Sequence, residues 1–482
     1  METTEALIVQ GHGPAVQARW QLWLVAAAIV VIGGSLANAF ILPLTAPRLE
    51  LSAAAAGRFA PLWSWTSALS FLVPDSPRTL RATVIGVALI GSLALVVGVV
   101  ATWRRSATRA SGTIVIGATL VAWIAMTLAL PTVDSDIFSY MANGRVGAAH
   151  GANPELVAPI AFPTDPVLPY TSPEYRTVAG DNKLPLWTDV TVALAGVAGE
   201  DPLAGLLVYR GLFLVASVVN LALIWLFLKR TRPDLILAGL VLYGWNPIIL
   251  ATGVSKVDTL MATLTLASLV LLTYGRARTA TVALTLSVLV KLITLPLLVV
   301  RLGSAMWRRD WRGLGADVVV IVVVGALVYA PFWAGPGELA GHAALLGGGT
   351  SPVPSVLRPV IDLLFICVVV IAAYFDDNSP RRTVLSWASV LLFFGAFLTT
   401  IGLSWYLITM IAITAVAGDG LVAGAAIALS VVSFLFDRAA RFEIGAGLQL
   451  PGWLIYLTGA VLIVVAVGVA FALRRRGLLA PG

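Results

Sequence analysis

Charge is what this sequence lacks most. Only 11% of its residues are Asp, Glu, Lys or Arg, against about 25% in a soluble domain. Hydrophobic residues reach 59% and mean hydropathy is +0.94. A soluble globular enzyme and a disordered chain are both excluded. An outer-membrane barrel is excluded too, because its strands alternate in polarity and never stay apolar for about 20 residues. Cysteine is almost absent. Cys367 stands alone in an apolar run, so neither a disulfide framework nor a thiolate metal site can form. Lysine is nearly as rare, at Lys183, Lys229, Lys256 and Lys291, and arginine carries most of the net charge of +7. The basic residues sit in short clusters between apolar runs, which is the positive-inside pattern and not a nucleic-acid patch. A cleavable leader pattern is lacking as well. The first apolar run, about 21–44, is long enough to remain as a span.

What is present is a series of apolar runs near the length of about 20 residues that a helical span needs. They fall at roughly 20–44, 82–103, 112–131, 204–228, 234–252, 257–274, 316–334, 358–374, 383–399, 402–417, 420–436 and 452–473. Six basic clusters mark the cytoplasmic side: Arg104/Arg105/Arg109, Lys229/Arg230/Arg232, Arg276/Arg278, Arg308/Arg309/Arg312, Arg381/Arg382 and Arg474/Arg475/Arg476. Alternation then places both termini in the cytoplasm. Loops 45–81, 132–203, 253–256, 335–357 and 437–451 lie outside.

Two segments break the alternation. Segment 184–199 is apolar but short, with both neighbours outside, and it reads as a helix lying in the outer interface or dipping shallowly into it. Segment 279–302 starts after Arg278, ends before Trp307/Arg308 and carries Lys291 and Pro296 at its centre. A full crossing would invert everything downstream, whereas a re-entrant hairpin of two half-length helices keeps the charge pattern. Non-helical backbone at that depth must be covered by protein or line a cavity. The expectation is an all-α polytopic membrane protein, one domain over 1–482, with about twelve transmembrane helices, a re-entrant hairpin and an outer interfacial helix.

Chemistry concentrates in the longest hydrophilic stretch, 132–183, inside the outer loop 132–203. It opens with PTVDSDIFSYMANGR, so Asp134 and Asp136 stand just beyond a span. Such carboxylates can deprotonate a sugar hydroxyl or together hold a divalent cation. The plainer reading of either one is a helix N-cap. The loop adds Tyr140, Asn143, Arg145, His150, Asn153, Glu155, Glu174, Tyr175, Arg176, Asp181, Asn182 and Lys183. For His150 alone a surface histidine is the better reading, and Arg145 suits an interface anchor or a phosphate clamp equally. Further charges stand in apolar surroundings. Arg210 is inside a span, Lys256 and Asp258 follow Trp245-Asn246-Pro247, and Lys291 sits in the hairpin. Intramembrane ionisable groups are costly and point to function. Lys256 and Asp258 also fit a plain mutual pair. Cations facing an acidic outer loop suit an anionic lipid headgroup.

Taken in order, these residues resemble the GT-C superfamily of membrane glycosyltransferases. The run is an outer Asp, F-S-Y-x-x-x-G-R, N-P, then W-N-P, V-K-L and Trp405-Tyr406. The nearest likeness is to the actinobacterial α-1,6-mannosyltransferases of lipomannan synthesis (MptA/MptB type). Their Asp-Val-Tyr-Ser-Tyr, Gly and Asp-Pro-Tyr read here as Asp136-Ile-Phe-Ser-Tyr140, Gly144 and Asn153-Pro154-Glu155. Their Gly-Asp-Asn-x-x-Ala-Gly…Tyr/Phe-Arg reads Gly199-Glu-Asp-Pro-Leu-Ala-Gly205…Tyr209-Arg210. The likeness spans most of 112–417. Two stretches depart from the pattern. Tyr-Gly-Pro-Leu is Lys183-Leu-Pro-Leu186 here, and His-Asn-Asp after Asn-Pro is Ser255-Lys256-Val257-Asp258.

The resemblance implies an inverting transferase that moves a sugar, mannose in the family, from a polyprenyl-phosphate donor to a lipid-linked glycan on the outer face of the plasma membrane. It makes Asp136 the base and Asp134 secondary. Arg210, Lys256 and Lys291 are expected on the donor phosphate. Tyr140, Arg145, Asn153, Tyr175, Arg176, Asp258, Trp405 and Tyr406 are expected to orient sugar or acceptor. A divalent cation held by Asp134 and Asp136 is the one cofactor to consider. The rivals are another GT-C branch, arabinosyl- or protein-mannosyl-transferring, and a lipid or solute transporter. Transporters share broken helices and intramembrane charges, but no internal repeat is visible and the polar density sits in one outer loop. A purely structural membrane subunit is a third reading, which the outer-loop carboxylates argue against.

Overall fold

The structure is a computed structural model. It describes residues 14–41, 77–103, 105, 107–129, 136–337, 357–398 and 403–441. Asp134, the expected span 452–473, the C-terminal arginines and most of loops 45–81, 335–357 and 437–451 lie outside the described residues. Among the described residues there are helices and turns and no strand. Among the described residues, eight helices are long and apolar enough to cross a membrane: Arg19–Phe40, Ala82–Thr102, Arg109–Thr127, Pro202–Thr231, Trp311–Tyr329, Arg358–Phe375, Pro380–Leu398 and Gly420–Arg438. The protein is thus a multi-pass, all-α membrane protein.

The first helices are α1 (Pro14–Leu36), α2 (Pro77–Thr102) and α3 (Arg109–Thr127). Helix α3 starts on a reciprocal cap between Thr108 and Ser111, which satisfies two otherwise orphan backbone donors. The outer-loop region supplies α4 (Asp136–Ala148) and α5 (Pro185–Ala198). Helix α6 (Pro202–Thr231) follows, with Asp201 capping its start and Lys229 and Arg230 in its last turn. Those cations complement the helix dipole, and 30 residues at 1.5 Å each extend about 45 Å, more than enough to span.

The expected single span 234–252 is instead two helices, α7 (Ile236–Gly244) and α8 (Pro247–Thr252). The break has a local cause. The Asn246 side chain accepts from Ile248 N, and Pro247 occupies the first helical position, so a new helix starts where the old one would have continued. Then come α9 (Asp258–Thr273), α10 (Ala277–Val290), α11 (Leu295–Trp307) and α12 (Trp311–Tyr329). The last four are α13 (Arg358–Phe375), α14 (Pro380–Phe393), α15 (Ile408–Ala417) and α16 (Gly420–Arg441).

Short helices lie in the middle and long ones around them. All ten residues of α15 are buried, and so is α7 from Leu237 onward. By contrast only 11% of the α12 window and 17% of the α13 window is buried. Val319, Val322, Leu327, Leu363 and Ile366 are exposed there, as expected of a lipid-facing rim. The core runs continuously through α1–α11 and α13–α16.

Segment 279–302 is divided between two short helices, α10 and α11. Lys291 breaks them with extended backbone (φ −165°, ψ 138°), followed by a 3₁₀ turn at Leu292–Thr294. The halves fold back on each other. Arg301 of α11 donates from Nε to Thr281 Oγ1 at 2.8 Å and from a terminal nitrogen to Ala277 O at 3.1 Å, both on the first turns of α10. Asp317 of α12 ties the open end, accepting from Arg278 at 2.6 Å and Arg301 at 3.2 Å. The tip meets the outer-loop region, where Leu184 N donates to Val290 O at 3.3 Å.

Candidate active site

Helix α4 sets the base of the site. Although it belongs to the expected outer loop, Ile137 to Val146 are all buried, under α5 and against α6. The Gly144 of the F-S-Y-x-x-x-G-R run has a steric reason. A Cβ there would stand 2.3 Å from Thr191 O and 2.7 Å from Tyr209 Oη. The close approach lets Thr191 Oγ1 donate to Tyr140 O at 2.6 Å and Tyr209 Oη donate to Thr191 O at 2.8 Å. Tyr140 is itself buried, with its ring edge-on to Trp187 at 4.9 Å.

Asp136 is the first residue of α4, where the helix dipole favours a carboxylate. Its Oδ2 accepts from Lys256 Nζ at 2.6 Å. Lys256 is 1% exposed at the side chain and Asp136 18%. A second pair stands beside the first. Lys291 Nζ donates to both oxygens of Asp258, at 2.8 and 3.1 Å, with Asp258 1% exposed and Lys291 14%. Each ammonium also faces an aromatic ring at 3.9 Å, Lys256 over Trp405 and Lys291 over Tyr406. Lys183 sits 5.6 Å from the Tyr140 ring. Such contacts hold a cation without neutralising it.

Three of the four lysines therefore gather where α4, the α8–α9 junction, the hairpin tip and the start of α15 meet. Burial opposes ionisation of Asp136, but the charges of Lys256, Lys183 and Lys291 outweigh it and hold its carboxyl below the usual carboxylate range. The site thus presents an ionised carboxylate among ammonium groups, a surrounding that suits a phosphate and a hydroxyl to be deprotonated. Asp136 is the described half of the expected cation-binding pair, and its carboxylate faces an ammonium. Among the described residues no three His, Cys, Asp or Glu side chains form a metal-sized cluster.

The remaining candidates lie elsewhere or serve the scaffold. Arg210 donates to Thr127 O at 2.9 Å and to Ala129 O, fastening the end of α3 just ahead of Asp136. Arg145 binds Asp165 at 2.8 Å and Gly199 O. Asp165 also meets His150 Nε2 at 2.8 Å, with that ring stacked on Phe162. Asn153 donates to Phe332 O at 2.9 Å and accepts from Glu155 N. Arg176 donates to Thr171 O and Pro169 O, and Tyr175 shares its single turn Pro173–Arg176. The structure adds Lys183 to the site. Its signal was visible as one of four lysines at a departure from the family pattern. An apolar slot between α1, α2 and α16, lined by Gly34, Ala88, Gly91, Leu250, Phe434 and Arg438, contains none of the lysine–carboxylate group.

With this geometry in place, comparison with known families is informative. The sequence model of the MptA/B family, described as alpha-(1→6)-mannopyranosyltransferase, N-terminal domain, matches residues 48–308. The match covers more than half of the 482 residues. It contains Asp136, Lys183, Lys256, Asp258 and Lys291, and ends before Trp405 and Tyr406. No curated protein and no solved structure matches the chain.

Proposed function

The chain belongs to the α-(1→6)-mannopyranosyltransferase family, and from that premise we propose that this membrane mannosyltransferase uses polyprenyl-phosphate mannose at the outer face of the plasma membrane. Its acceptor is a lipid-linked mannan. Asp136 is the general base. Lys256 and Lys291 hold the donor phosphate, with Trp405 and Tyr406 seating their ammonium groups. Asp258 fixes Lys291, and Lys183 adds positive charge above Tyr140. Arg210 positions Asp136 by anchoring the end of α3. The site faces outward because Asp136 and Lys183 belong to the loop opposite the arginine clusters, and the hairpin enters from the cytoplasmic side and returns to it.

The reaction balances within these groups. The acceptor hydroxyl oxygen bonds to the mannose anomeric carbon from the face opposite the phosphate. Its proton passes to Asp136. The bond from that carbon to phosphate breaks, and the electron pair stays on the phosphate oxygen. Configuration therefore inverts. Charge grows on the phosphate as the bond breaks, so preorganised cations in a water-poor site stabilise the transition state more than the ground state.

The observation that carries this reading is the convergence of residues 136, 256, 258, 291 and 405–406 on one spot, with Lys256 on Asp136 at 2.6 Å. A family match favours glycosyl transfer over the transporter reading. The test is an assay of the full chain in lipid vesicles with labelled polyprenyl-phosphate mannose and an alkyl α-1,6-dimannoside. A labelled trimannoside is expected. No transfer from that donor, with transfer from a nucleotide-mannose instead, overturns the donor assignment.

A further inference from the structure

The arginine clusters of this chain are not equivalent. Near the end of α6 the cations are partnered. Lys229 lies 4.6 Å over the Trp225 ring, Arg230 4.0 Å over the Tyr274 ring, and Arg232 binds Asp234 at 3.0 Å. The turns that join α11 to α12 and α13 to α14 differ. They stand side by side, because Ser304 Oγ and the Arg308 guanidinium both donate to Asp376 O, at 2.7 and 2.8 Å. Gly303 lets α11 and α13 close up here, since a Cβ on it would stand 2.9 Å from Ala373 Cβ. At this joint Arg309, Arg312 and Arg381 are exposed. Among the described residues, their side chains have no hydrogen-bond, carboxylate or ring partner.

The acids nearby are already engaged. Asp310 accepts from Gly313 N at 2.9 Å in the first turn of α12. Asp376 is buried and accepts from Asn378 N and Thr383 Oγ1, both at 2.8 Å. Asp377 accepts from Ser379 N and pairs with Arg382 at 3.1 Å. The turn itself does not call for an arginine. Arg309 has a left-handed backbone (φ 58°), where glycine or asparagine is the usual residue.

The depth of the joint in a bilayer is legible from the helices that lead to it. Val318, Val319 and Val322 of α12 and Leu363, Ile366 and Val370 of α13 are exposed aliphatics. Next to the turns the exposed residues become aromatic. Trp307 ends α11, Trp311 opens α12, and Tyr374 and Phe375 end α13, all 58–62% exposed. Trp307 meets Tyr374 edge-on at 5.7 Å. An aliphatic wall, an aromatic belt and then guanidinium groups match the hydrocarbon core, the interface and the headgroup layer.

We propose that this joint is a binding site for an anionic phospholipid, with its phosphate on Arg309 and Arg312 and its acyl chains along α12 and α13. Guanidinium groups fit a phosphate with paired hydrogen bonds, and basic pockets between helix ends at headgroup level select charged lipids. Arg381 adds charge from the neighbouring turn. The occupant is a lipid and not a soluble phosphate, because the apolar wall continues directly from the arginines. The 13 residues of α11 put about 20 Å between this joint and the hairpin tip, so the site is separate from the lysine group and independent of the reaction proposed there.

The test uses the full-length protein in nanodiscs holding equal amounts of phosphatidylglycerol and phosphatidylcholine. Native mass spectrometry after release counts the lipids that stay bound. Phosphatidylglycerol should be retained over phosphatidylcholine by about tenfold or more, as expected of two arginines at a charged headgroup. Arg309→Gln/Arg312→Gln should lose that preference, and Lys229→Gln/Arg230→Gln should keep it. Equal retention of the two lipids by the wild type overturns the site. Equal loss in both double variants overturns it too, because the preference would then be one of bulk charge. A second measurement needs no variant. The midpoint of thermal unfolding should rise when phosphatidylglycerol replaces phosphatidylcholine, and should not move when glycerol phosphate is added to phosphatidylcholine nanodiscs. An unchanged midpoint with phosphatidylglycerol contradicts the site, and a rise with glycerol phosphate alone replaces the lipid by a soluble anion.

Discussion

At the scale of single residues, the site was legible as a list but not as an arrangement. Ionisable groups in apolar runs are expensive, so Arg210, Lys256, Asp258 and Lys291 stood out in the sequence, and Asp136 stood out at the head of the outer hydrophilic stretch. Which lysine meets which acid did not, because partners 120 residues apart (Lys256 and Asp136) leave no local signature. Arg210 looked like a phosphate ligand for the same reason, since cost in the membrane marks a residue without saying what it touches. The pairings make two predictions. Asp258→Asn strips the buried Lys291 of its counter-ion and should cost about 3–5 kcal/mol, read as a clear fall in thermal stability in detergent; unchanged stability would mean the pair is not maintained. The second concerns pH. A carboxylate held below its usual value near 3.9 stays ionised through the neutral range. Its folded-state contribution is present above that value and is lost only as pH falls through the lowered one. Mannosyl transfer should therefore show no acid limb between about pH 5 and 8 from Asp136. Asp189 on α5 is the contrasting group, pushed by burial to about 6. An acid limb of transfer between about pH 5 and 8 that is the same in the wild type and in Asp189→Asn would count against an ionised Asp136.

At the scale of elements, periodicity and length found most helices, and side-chain capping decided where they stop. Charge topology pointed to a short helix at 184–199 and two half-length helices at 279–302, and short helices stand there; their re-entrant and interfacial placement stays part of the proposal. The break between α7 and α8 did not, because the apolar run 234–252 is uninterrupted in hydropathy and only the Asn246 cap and Pro247 divide it. That break shortens the segment and brings Lys256 toward α4. Packing of α4 on α5 depends in turn on Gly144. Gly144→Ala forces a methyl to within 2.3 Å of a backbone oxygen that cannot rotate away. Overpacking of this kind costs about 1–3 kcal/mol, and kcat should fall more than KM rises because Asp136 shifts with α4. A KM-only effect would place α4 outside the chemistry.

At the scale of the whole molecule, low charge pointed to a helical membrane protein, and the sorting of the remaining charges is the basis of the proposed orientation. Arginines gather at the end where Arg278, Arg301 and Asp317 lock the hairpin, and three of four lysines gather at its tip. Orientation is open to direct measurement because Cys367 is the sole cysteine. In a Cys367→Ser background, Thr164→Cys should react with a membrane-impermeant maleimide added to intact cells, and Arg309→Cys should react only after lysis. The reverse pattern would put the lysine cluster in the cytoplasm.

The central claim is that Asp136 takes the acceptor proton, and the most direct measurement is transfer by Asp136→Asn in vesicles supplied with polyprenyl-phosphate mannose. The amide keeps the shape and removes the base. Transfer should fall about 10²–10⁴-fold, while donor affinity holds or tightens as Lys256 loses its competing carboxylate. Wild-type turnover by this variant would contradict the account.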